Sequence, residues 1–245
     1  MRIDKYMAEN GLAVSRAKAQ EMLKTGAVFV DGTVIEKPSF ELPDGASVTV
    51  AENPLQRYVG RGGLKLEAAL DAFALSPEGQ IAIDVGASSG GFTDCLLRRG
   101  AAFVYAVDSG SGQLHPSLAA DVRVCSMENT NARNLDASMF EKMPTFAVMD
   151  VSFISQTLIL PALSATMKDG GILVSLIKPQ FELGRDALTK KGIVKSERLA
   201  GRAVTIVCES AKALGFRLLG SMPSPIHGGD GNLEFLTAFS LPPTP

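Results

Sequence analysis

Two lysines and two carboxylates stand at the ends of predicted helices and strands, where they could act together. In chain order they are Lys65, Asp150, Lys178 and Glu234. Asp150 follows the apolar run 146–149 and Lys178 follows the apolar run 171–177, while Glu234 opens the last predicted strand. Because ligands bind where the strands of an open α/β sheet end, we expect these side chains to converge. Together they could orient a hydroxyl group or take its proton, whereas Asp150 or Lys178 alone would more often form an ordinary ion pair.

A glycine-rich turn follows the strand predicted at 81–85, and a helix predicted at 93–99 follows the turn. Glycine allows a tight turn and a close approach of the backbone to a ligand. A buried and unpaired Asp84 would be costly, so this carboxylate needs a partner. Ser88 and Ser89 are predicted to cap the helix. The cofactor-binding candidates in this stretch are Asp84, Gly86, Ala87, Ser88, Gly90, Gly91 and Phe92.

The spacing of the glycines indicates the kind of cofactor. Dinucleotide sites use Gly-x-Gly-x-x-Gly, whereas this turn reads Gly-x-x-x-Gly-Gly. Asp108 ends the next strand, where an acid can accept hydrogen bonds from both hydroxyls of a ribose. We therefore predict a cofactor with a ribose but no pyrophosphate, and the pattern resembles the S-adenosyl-L-methionine site of Rossmann-like methyltransferases. Glu128 and Asn129 could bind the adenine edge or cap their loop, and a purely structural glycine turn is the alternative for the whole motif.

Composition narrows the class of protein. The 245 residues carry a formal net charge of −2, so any nucleic-acid surface must come from local clustering. Three cysteines, far apart in the chain, form no zinc spacing or disulfide framework, so we expect no metal and a reducing compartment. The polar N-terminus and the absence of an apolar run of about 20 residues argue against a signal peptide and a membrane span. A cytoplasmic protein with no membrane partner is predicted.

Residues 1–50 are predicted to form a separate unit of two helices and a small β unit. The helices end near Asn10 and Lys24, and a hairpin turns at 31–32. This order, with the segments 2–6, 15–19 and 26–32, resembles the S4 RNA-binding domain. Within this unit the RNA-binding candidates are Lys5, Arg16, Lys18 and Lys24, and Arg57 and Arg61 in the basic, glycine-rich stretch that follows are added to them. Because nearby acids balance these charges, the alternative is an ordinary solvated helix face.

Residues 51–61 are predicted as a linker and residues 62–245 as an α/β domain. Strands are predicted at 81–86, 103–108, 122–126, 146–150, 171–177, 216–221 and 233–240, and helices at 64–73, 93–99, 154–167 and 196–214. Alternating strands and helices indicate a mainly parallel sheet covered on both faces, which the last two strands close as an antiparallel hairpin. This seven-stranded plan resembles the class I Rossmann-like methyltransferase fold.

The order of the two lysines and two carboxylates resembles the catalytic tetrad of FtsJ-like ribose 2′-O-methyltransferases. More specific segments resemble the TlyA family, also called hemolysin A, over essentially the whole chain: 61–66, 84–92, 130–133, 150–155 and 178–182. The resemblance implies methylation of a cytidine 2′-hydroxyl in ribosomal RNA, with S-adenosyl-L-methionine as cofactor and ribosomal RNA or ribosomal subunits as partners. Its one noted departure, Gly63-Leu64, lies where family members vary and affects how substrate enters rather than the tetrad.

The residue types suggest roles within this reaction. A ribose hydroxyl is a weak nucleophile, and a lysine can take its proton only after losing its own, which burial and a second nearby cation favour. We assign Lys178 as general base or hydroxyl orienter, with Lys65 tuning and steering it, while Asp150 and Glu234 hold the ammonium groups. Two alternatives are a cytolysin, whose lytic effect would be indirect, and an RNA-binding protein without catalysis. The sequence assigns no oligomeric state.

Overall fold

The computed structural model describes residues 1–24, 26–50, 57–167, 169–226, 228 and 231–242. The chain divides into two compact units, Met1–Arg57 and Tyr58–Pro245. The division falls inside the stretch predicted as a linker, most of which, 51–56, lies outside the described residues. Each unit has its own apolar core, so each is described by itself.

The N-terminal unit packs two helices on a small antiparallel sheet. Its elements are α1 (Ile3–Glu9), α2 (Arg16–Lys24), β1 (Val28–Val30), β2 (Thr33–Val34) and β3 (Val48–Val50), and the strand order is β2-β1-β3. Asp31 and Gly32 join β1 to β2, and both have positive φ angles, 48° and 80°. A two-residue hairpin turn requires this backbone conformation, so the predicted hairpin is confirmed.

The second unit is a seven-stranded sheet with helices on both faces. Its helices are α3 (Gly62–Ala72), α4 (Gly91–Arg98), α5 (Pro116–Ala119), α6 (Leu160–Thr166), α7 (Pro179–Glu182) and α8 (Glu197–Ala213). Its strands are β4 (Ile81–Val85), β5 (Phe103–Val107), β6 (Val124–Met127), β7 (Phe146–Met149), β8 (Ile172–Ile177), β9 (Arg217–Pro223) and β10 (Phe235–Ser240). The strand order is β6-β5-β4-β7-β8-β10-β9. β10 runs antiparallel to both of its neighbours, β8 and β9, whereas the other neighbouring strands pair in parallel. This confirms the predicted fold class.

Both faces of the sheet are buried because its central strands are mostly apolar, with Asp84 of β4 and Ser175 of β8 as buried exceptions. On one face Ile83 of β4 packs in a cluster with Val207 of α8. On the other face Ala82 packs in a cluster with Leu66 of α3 and Leu96 of α4. Alternate residues of one strand thus anchor the helices on opposite faces, which fixes the strand ends that carry the polar side chains.

Two of the predicted elements are wrong in extent. The helix predicted at 154–167 is a short 3₁₀ turn, Gln156–Leu158, followed by α6. The Ser155 side chain accepts a hydrogen bond from the Thr157 N–H and starts the separate turn. The strand predicted at 122–126 begins only at Val124, because the preceding Asp121 and Arg123 form a turn closed by their own ion pair at 2.7 Å.

Candidate active site

Three of the four predicted tetrad residues meet at one edge of the sheet. Asp150 follows β7 and Lys178 follows the neighbouring parallel strand β8. Glu234 directly precedes β10, whose first residue Phe235 lies opposite Ile177, the last residue of β8. Because β10 runs antiparallel, its beginning lies beside the end of β8, and Glu234 reaches the edge where Lys178 stands.

The four side chains form two lysine–carboxylate pairs. Lys178 Nζ lies 2.6 Å from Asp150 Oδ1 and donates a hydrogen bond to Ser152 Oγ at 2.8 Å. Lys65 Nζ, from the first turn of α3, donates to Glu234 Oε2 at 2.5 Å. The Lys65 and Glu234 side chains are only 10% and 3% exposed, so each charge depends on the other for compensation. The quartet as a whole is electrically balanced.

A cavity of about 380 Å³ opens at the carboxyl ends of β4, β5 and β7. The polar side chains in its lining are Ser88, Asp108, Ser109, Gln113, Thr130, Asn131, Asp150 and Ser152. Asp108 accepts a hydrogen bond from the Ser88 N–H at 2.8 Å through one oxygen and from the Gly110 N–H at 2.7 Å through the other. Each carboxylate oxygen has room for a second donor, which suits a diol such as a ribose.

The glycine turn leaves no room for side chains. A Cβ on Gly86, whose φ is 86°, would lie 2.3 Å from the carbonyl oxygen of Asp150. A Cβ on Gly90, whose φ is 92°, would lie 2.3 Å from the side chain of Leu118. Gly90 itself precedes α4, which has no side-chain cap, so the predicted capping by Ser88 and Ser89 is wrong. The left-handed conformation of Gly90 turns the chain into the helix instead.

Asp84 lies behind this turn and is fully buried. Its Oδ2 accepts a hydrogen bond from Thr93 Oγ1 at 2.7 Å, while its Oδ1 has no partner in the described part of the chain. Burial raises the pKa of Asp84 to about 7, against the hydrogen bond from Thr93, and repulsion from Asp150 and Asp108 adds to the increase. A bound cation would relieve this cluster of three acids, so the cluster fits a positively charged cofactor.

A second cavity, of about 210 Å³, adjoins the first and shares Gly86, Ser88, Asp150 and Ser152 with it. Arg61 and Gly62 form one wall, and Lys178 belongs to its lining. The Val59 N–H donates to Asp94 Oδ2 of α4 at 2.9 Å, which fixes the wall to the helix behind the glycine turn. Lys178 is therefore the tetrad lysine that borders open space.

Most of the predicted cofactor residues line one or both of these cavities. Gly86, Ser88 and Asp108 line the larger cavity, and Gly86, Ala87, Ser88, Gly91 and Phe92 line the smaller one. Asp84 and Gly90 pack behind these surfaces. Glu128 and Asn129 are in neither lining: Glu128 Oε1 accepts from the Gly112 N–H at 2.8 Å, and the Asn129 N–H donates to the Gly110 carbonyl at 3.0 Å. The cavity is lined instead by Thr130 and Asn131, just beyond them.

Phe153 is the most unusual residue of the larger cavity. Its φ is 64°, a left-handed conformation that is costly for a bulky side chain, and it is 90% exposed. Its ring lies 5.1 Å from the ring of Phe181, centroid to centroid. Sequence reasoning missed Phe153, although it stands between Asp150 and Ser155 in a segment that carried the family resemblance. Its backbone conformation, which would have drawn attention to it, cannot be read from residue type.

Most of the predicted RNA-binding residues lie in the N-terminal unit. Lys5 pairs with Glu9 at 3.6 Å, Lys18 pairs with Glu21 at 3.2 Å, and Arg16 donates to Asp4 at 2.9 Å. Lys24 ends α2 and is exposed, as is Arg57 at the unit boundary. Arg61 lines the smaller cavity of the second unit. Five of the six residues thus belong to the N-terminal unit and Arg61 belongs to the second unit.

Two kinds of feature are absent from the described part of the chain. No described helix has both the length and the apolar character that crossing a membrane requires. No group of three or more His, Cys, Asp or Glu side chains that could hold a metal ion occurs in the described ranges.

Known proteins resemble this chain along almost its whole length. TlyA of Mycobacterium tuberculosis, a 16S/23S rRNA (cytidine-2′-O)-methyltransferase, is 41% identical over 96% of this chain and 87% of its own length. Hemolysin A of Brachyspira hyodysenteriae is 40% identical over 98% of this chain and 100% of its own length. A solved structure from Streptococcus thermophilus, named as a candidate hemolysin, is 44% identical and has a TM-score of 0.78, covering 100% of this chain and 90% of that chain.

Family profiles agree with these relatives. The profile of the S4 domain matches residues 1–48, and the profile described as FtsJ-like methyltransferase matches residues 58–241. The predicted family resemblance is therefore confirmed. The chain belongs to the FtsJ-like methyltransferase family and carries an S4 domain at its N-terminal end.

Proposed function

We propose that this protein transfers a methyl group from S-adenosyl-L-methionine to the 2′-hydroxyl of a cytidine in ribosomal RNA. The observation that carries this proposal is the Lys178–Asp150 pair, which borders the smaller cavity beside the glycine turn. A relative that is 41% identical is named as an enzyme with this activity. The S4 domain supports RNA as the substrate class.

The larger cavity is assigned to the cofactor. S-adenosyl-L-methionine supplies an electrophilic methyl group on a positively charged sulfonium. Asp108 holds the two ribose hydroxyls through the lone pairs left free by its backbone contacts. The carboxylates of Asp84 and Asp150 stabilise the positive charge of the sulfonium, and this attraction offsets the cost of burying the Asp84 carboxylate.

Lys178 acts on the acceptor hydroxyl from the smaller cavity. Asp150 and Ser152 hold its ammonium group at 2.6 and 2.8 Å, so its remaining N–H can be aimed at a ribose oxygen. Lys178 either orients the hydroxyl or takes its proton as the methyl group moves. Lys65 and Glu234 form the buried pair behind this site, which fixes the strand end on which Lys178 stands. Most of the acceleration would come from in-line alignment.

Two features suit an RNA acceptor. Arg61 in the wall of the smaller cavity can contact a phosphate. The exposed ring of Phe153, supported by Phe181, offers a surface on which an unstacked base can lie. A base taken out of its helix would bring its own ribose towards the tetrad.

The test uses methyl-labelled S-adenosyl-L-methionine and separated ribosomal subunits from cells that lack this gene. The wild-type protein should label a ribose in ribosomal RNA, and the labelled linkage should resist alkaline cleavage, because alkali needs a free 2′-hydroxyl. Lys178→Ala should lower the initial rate by about 10²- to 10⁴-fold. Lys142→Ala, which removes an exposed lysine elsewhere on the same unit, should keep the full rate.

Other outcomes would point elsewhere. Label that appears on a base, or a Lys178→Ala variant with the wild-type rate, would contradict the proposed chemistry. Cofactor binding without label on either subunit or on free RNA would indicate a different acceptor. Because one relative is named Hemolysin A, the same proteins should also be tested on red cells. Lysis by Lys178→Ala equal to that by wild type would separate a lytic effect from methyl transfer.

A further inference from the structure

A carboxylate is buried in the core of the N-terminal unit. Asp4 lies on α1 between Ile3 and Met7, and all three residues are 0% exposed. A lone buried carboxylate is strongly destabilising, so a residue of this kind persists only where partners compensate for its charge. Asp4 has three such partners.

The three partners all donate to the carboxylate. Arg2 donates to Oδ1 through Nε at 3.2 Å and to Oδ2 through Nη2 at 3.0 Å. Arg16 donates to Oδ2 through Nε at 2.9 Å, and Gln20 donates to Oδ2 through Nε2 at 2.8 Å. Loss of water raises the pKa of Asp4, but these hydrogen bonds outweigh that effect and lower the pKa to about 2. Asp4 is therefore ionised at neutral pH.

The two arginines face outward from this anchor. Their side chains are 42% and 52% exposed, although the carboxylate that binds them is fully buried. A guanidinium has five N–H donors. Among the described residues Arg16 uses only Nε–H on Asp4, so both of its Nη groups remain for a ligand. The buried Asp4 carboxylate thus holds the two partly exposed guanidinium groups close together.

We propose that Asp4 is a positioning residue that holds Arg2 and Arg16 together as one phosphate-binding clamp. The ligand is a phosphate of the RNA backbone, because a guanidinium matches the geometry of phosphate and can bind it through two donors. This inference rests on the proposed function, which makes ribosomal RNA the substrate. It adds Arg2, which was not among the predicted RNA contacts, and gives Asp4 a role in binding although Asp4 touches no RNA.

Neutralisation of Asp4 distinguishes this proposal from a simple charge effect, because the two predict opposite changes in RNA affinity. If Asp4 only cancelled nearby positive charge, its neutralisation would strengthen RNA binding. If Asp4 positions the clamp, its neutralisation should weaken binding although the protein becomes more positive. Asp4→Asn should weaken binding to deproteinised ribosomal RNA by about tenfold. It should also reduce the slope of log affinity against log salt by about one, over about 50 to 200 mM salt, because phosphate contacts are lost.

A matched control is available on the neighbouring helix. Glu21→Gln also removes one negative charge from the unit, but Glu21 pairs with Lys18, at 3.2 Å, rather than with the clamp. This variant should bind RNA as tightly as wild type or more tightly. Binding of S-adenosyl-L-methionine should be unchanged in both variants, because the cofactor cavity lies in the other unit. Asp4→Asn that binds RNA as well as wild type or better would overturn the proposal.

A second measurement leaves Asp4 in place, in case Asp4→Asn unfolds the unit. Arg2→Ala, Arg16→Ala and the double variant are compared in RNA binding. A clamp predicts coupled losses, with the double variant much less impaired than the product of the two single effects. If the two arginines bound RNA independently, the affinity losses of the single variants would multiply in the double variant, and this result would also overturn the proposal.

If wild type binds RNA through a coupled clamp but transfers no methyl group, the clamp stands and the proposed function fails. If wild type binds no ribosomal RNA, both fail.

Discussion

Ser155 Oγ donates a hydrogen bond to Glu182 Oε2 at 2.5 Å, and this contact fastens the loop after β7 to helix α7. The other oxygen of Glu182 accepts from the Gln156 N–H at 2.9 Å. The side chain of Gln156 in turn donates to the Leu176 carbonyl of β8 at 2.7 Å. Asp150 and Lys178 begin the two segments that are joined, so Glu182 holds the segments that position the proposed catalytic pair.

Loss of this fastening should impair turnover more than cofactor binding. Glu182→Ala removes both acceptors and should lower kcat by about tenfold to a hundredfold, because small displacements of reacting groups are costly. Glu182→Gln keeps one acceptor and should show a smaller loss. The measurement is single-turnover methyl transfer, with Glu209→Ala on the exposed side of α8 as the control. Equal rates in Glu182→Ala and wild type would show that the fastening is unnecessary.

Variants of the buried Lys65–Glu234 pair should change stability and activity independently of each other. Lys65→Met leaves the Glu234 carboxylate buried without its partner and should lower the free energy of unfolding by about 3–5 kcal/mol. Adding Glu234→Leu removes the orphaned charge and should restore much of the loss. Methyl transfer should stay impaired in both variants. Urea unfolding and label incorporation measure the two effects, and a double variant as active as wild type would exclude this pair from the site.

Asp84 should give the unfolding free energy a distinctive pH dependence. Its pKa is about 7 in the folded protein, against a reference value of 3.8. Between these values the folded state holds the extra proton, so stability falls as pH rises from about 4 to about 7 and then levels off. Asp84→Asn should remove this component, which denaturant titrations of both proteins at several pH values would detect. Parallel pH profiles for the two proteins would contradict the assignment.

Two substitutions of Phe153 should have the same effect on RNA binding but different effects on stability. Phe153→Ala and Phe153→Gly both remove the exposed ring and should raise KM for RNA about tenfold. At a φ of 64°, glycine escapes the backbone cost that alanine still bears, so Phe153→Gly should be about 1 kcal/mol more stable than Phe153→Ala. Steady-state kinetics and thermal unfolding test these expectations. An unchanged KM in both variants would remove the ring from RNA binding.

The sheet and the strand ends could be read from the sequence because they depend on local pattern. Short apolar runs such as 146–149 and 171–177 are typical of buried strands, and the polar residue after each of them, Asp150 and Lys178, marks the edge of the sheet. That rule predicted positions for Asp150 and Lys178 at one edge, where the structure places both. The pairing partner of each lysine could not be read, because it depends on how α3 and β10 pack against this edge.

Other features were missed because they depend on three-dimensional fit. α4 begins after Gly90 in a left-handed conformation and not after a serine cap. Only glycine fits at this position, because Leu118 of α5 occupies the space that a side chain would need. Glu128 is used by the backbone of the loop at Gly112 and not by the cavity. Arg2 lies two residues before Asp4, which is not a helical spacing, and Arg16 lies twelve residues after it. The pattern of residue types along the chain therefore does not reveal that both bind Asp4.

The contact between Lys65 and Glu234 spans 169 residues, from the first helix of the larger unit to the start of its final strand. During synthesis, a chain that has not yet reached Glu234 has Lys65 without its carboxylate and has no β10 to pair with β8. The tetrad can therefore be assembled only after Glu234 and β10 have been synthesised. An enzyme that acts on ribosomal RNA would in this way stay inactive on the ribosome until this part of its own chain has been made.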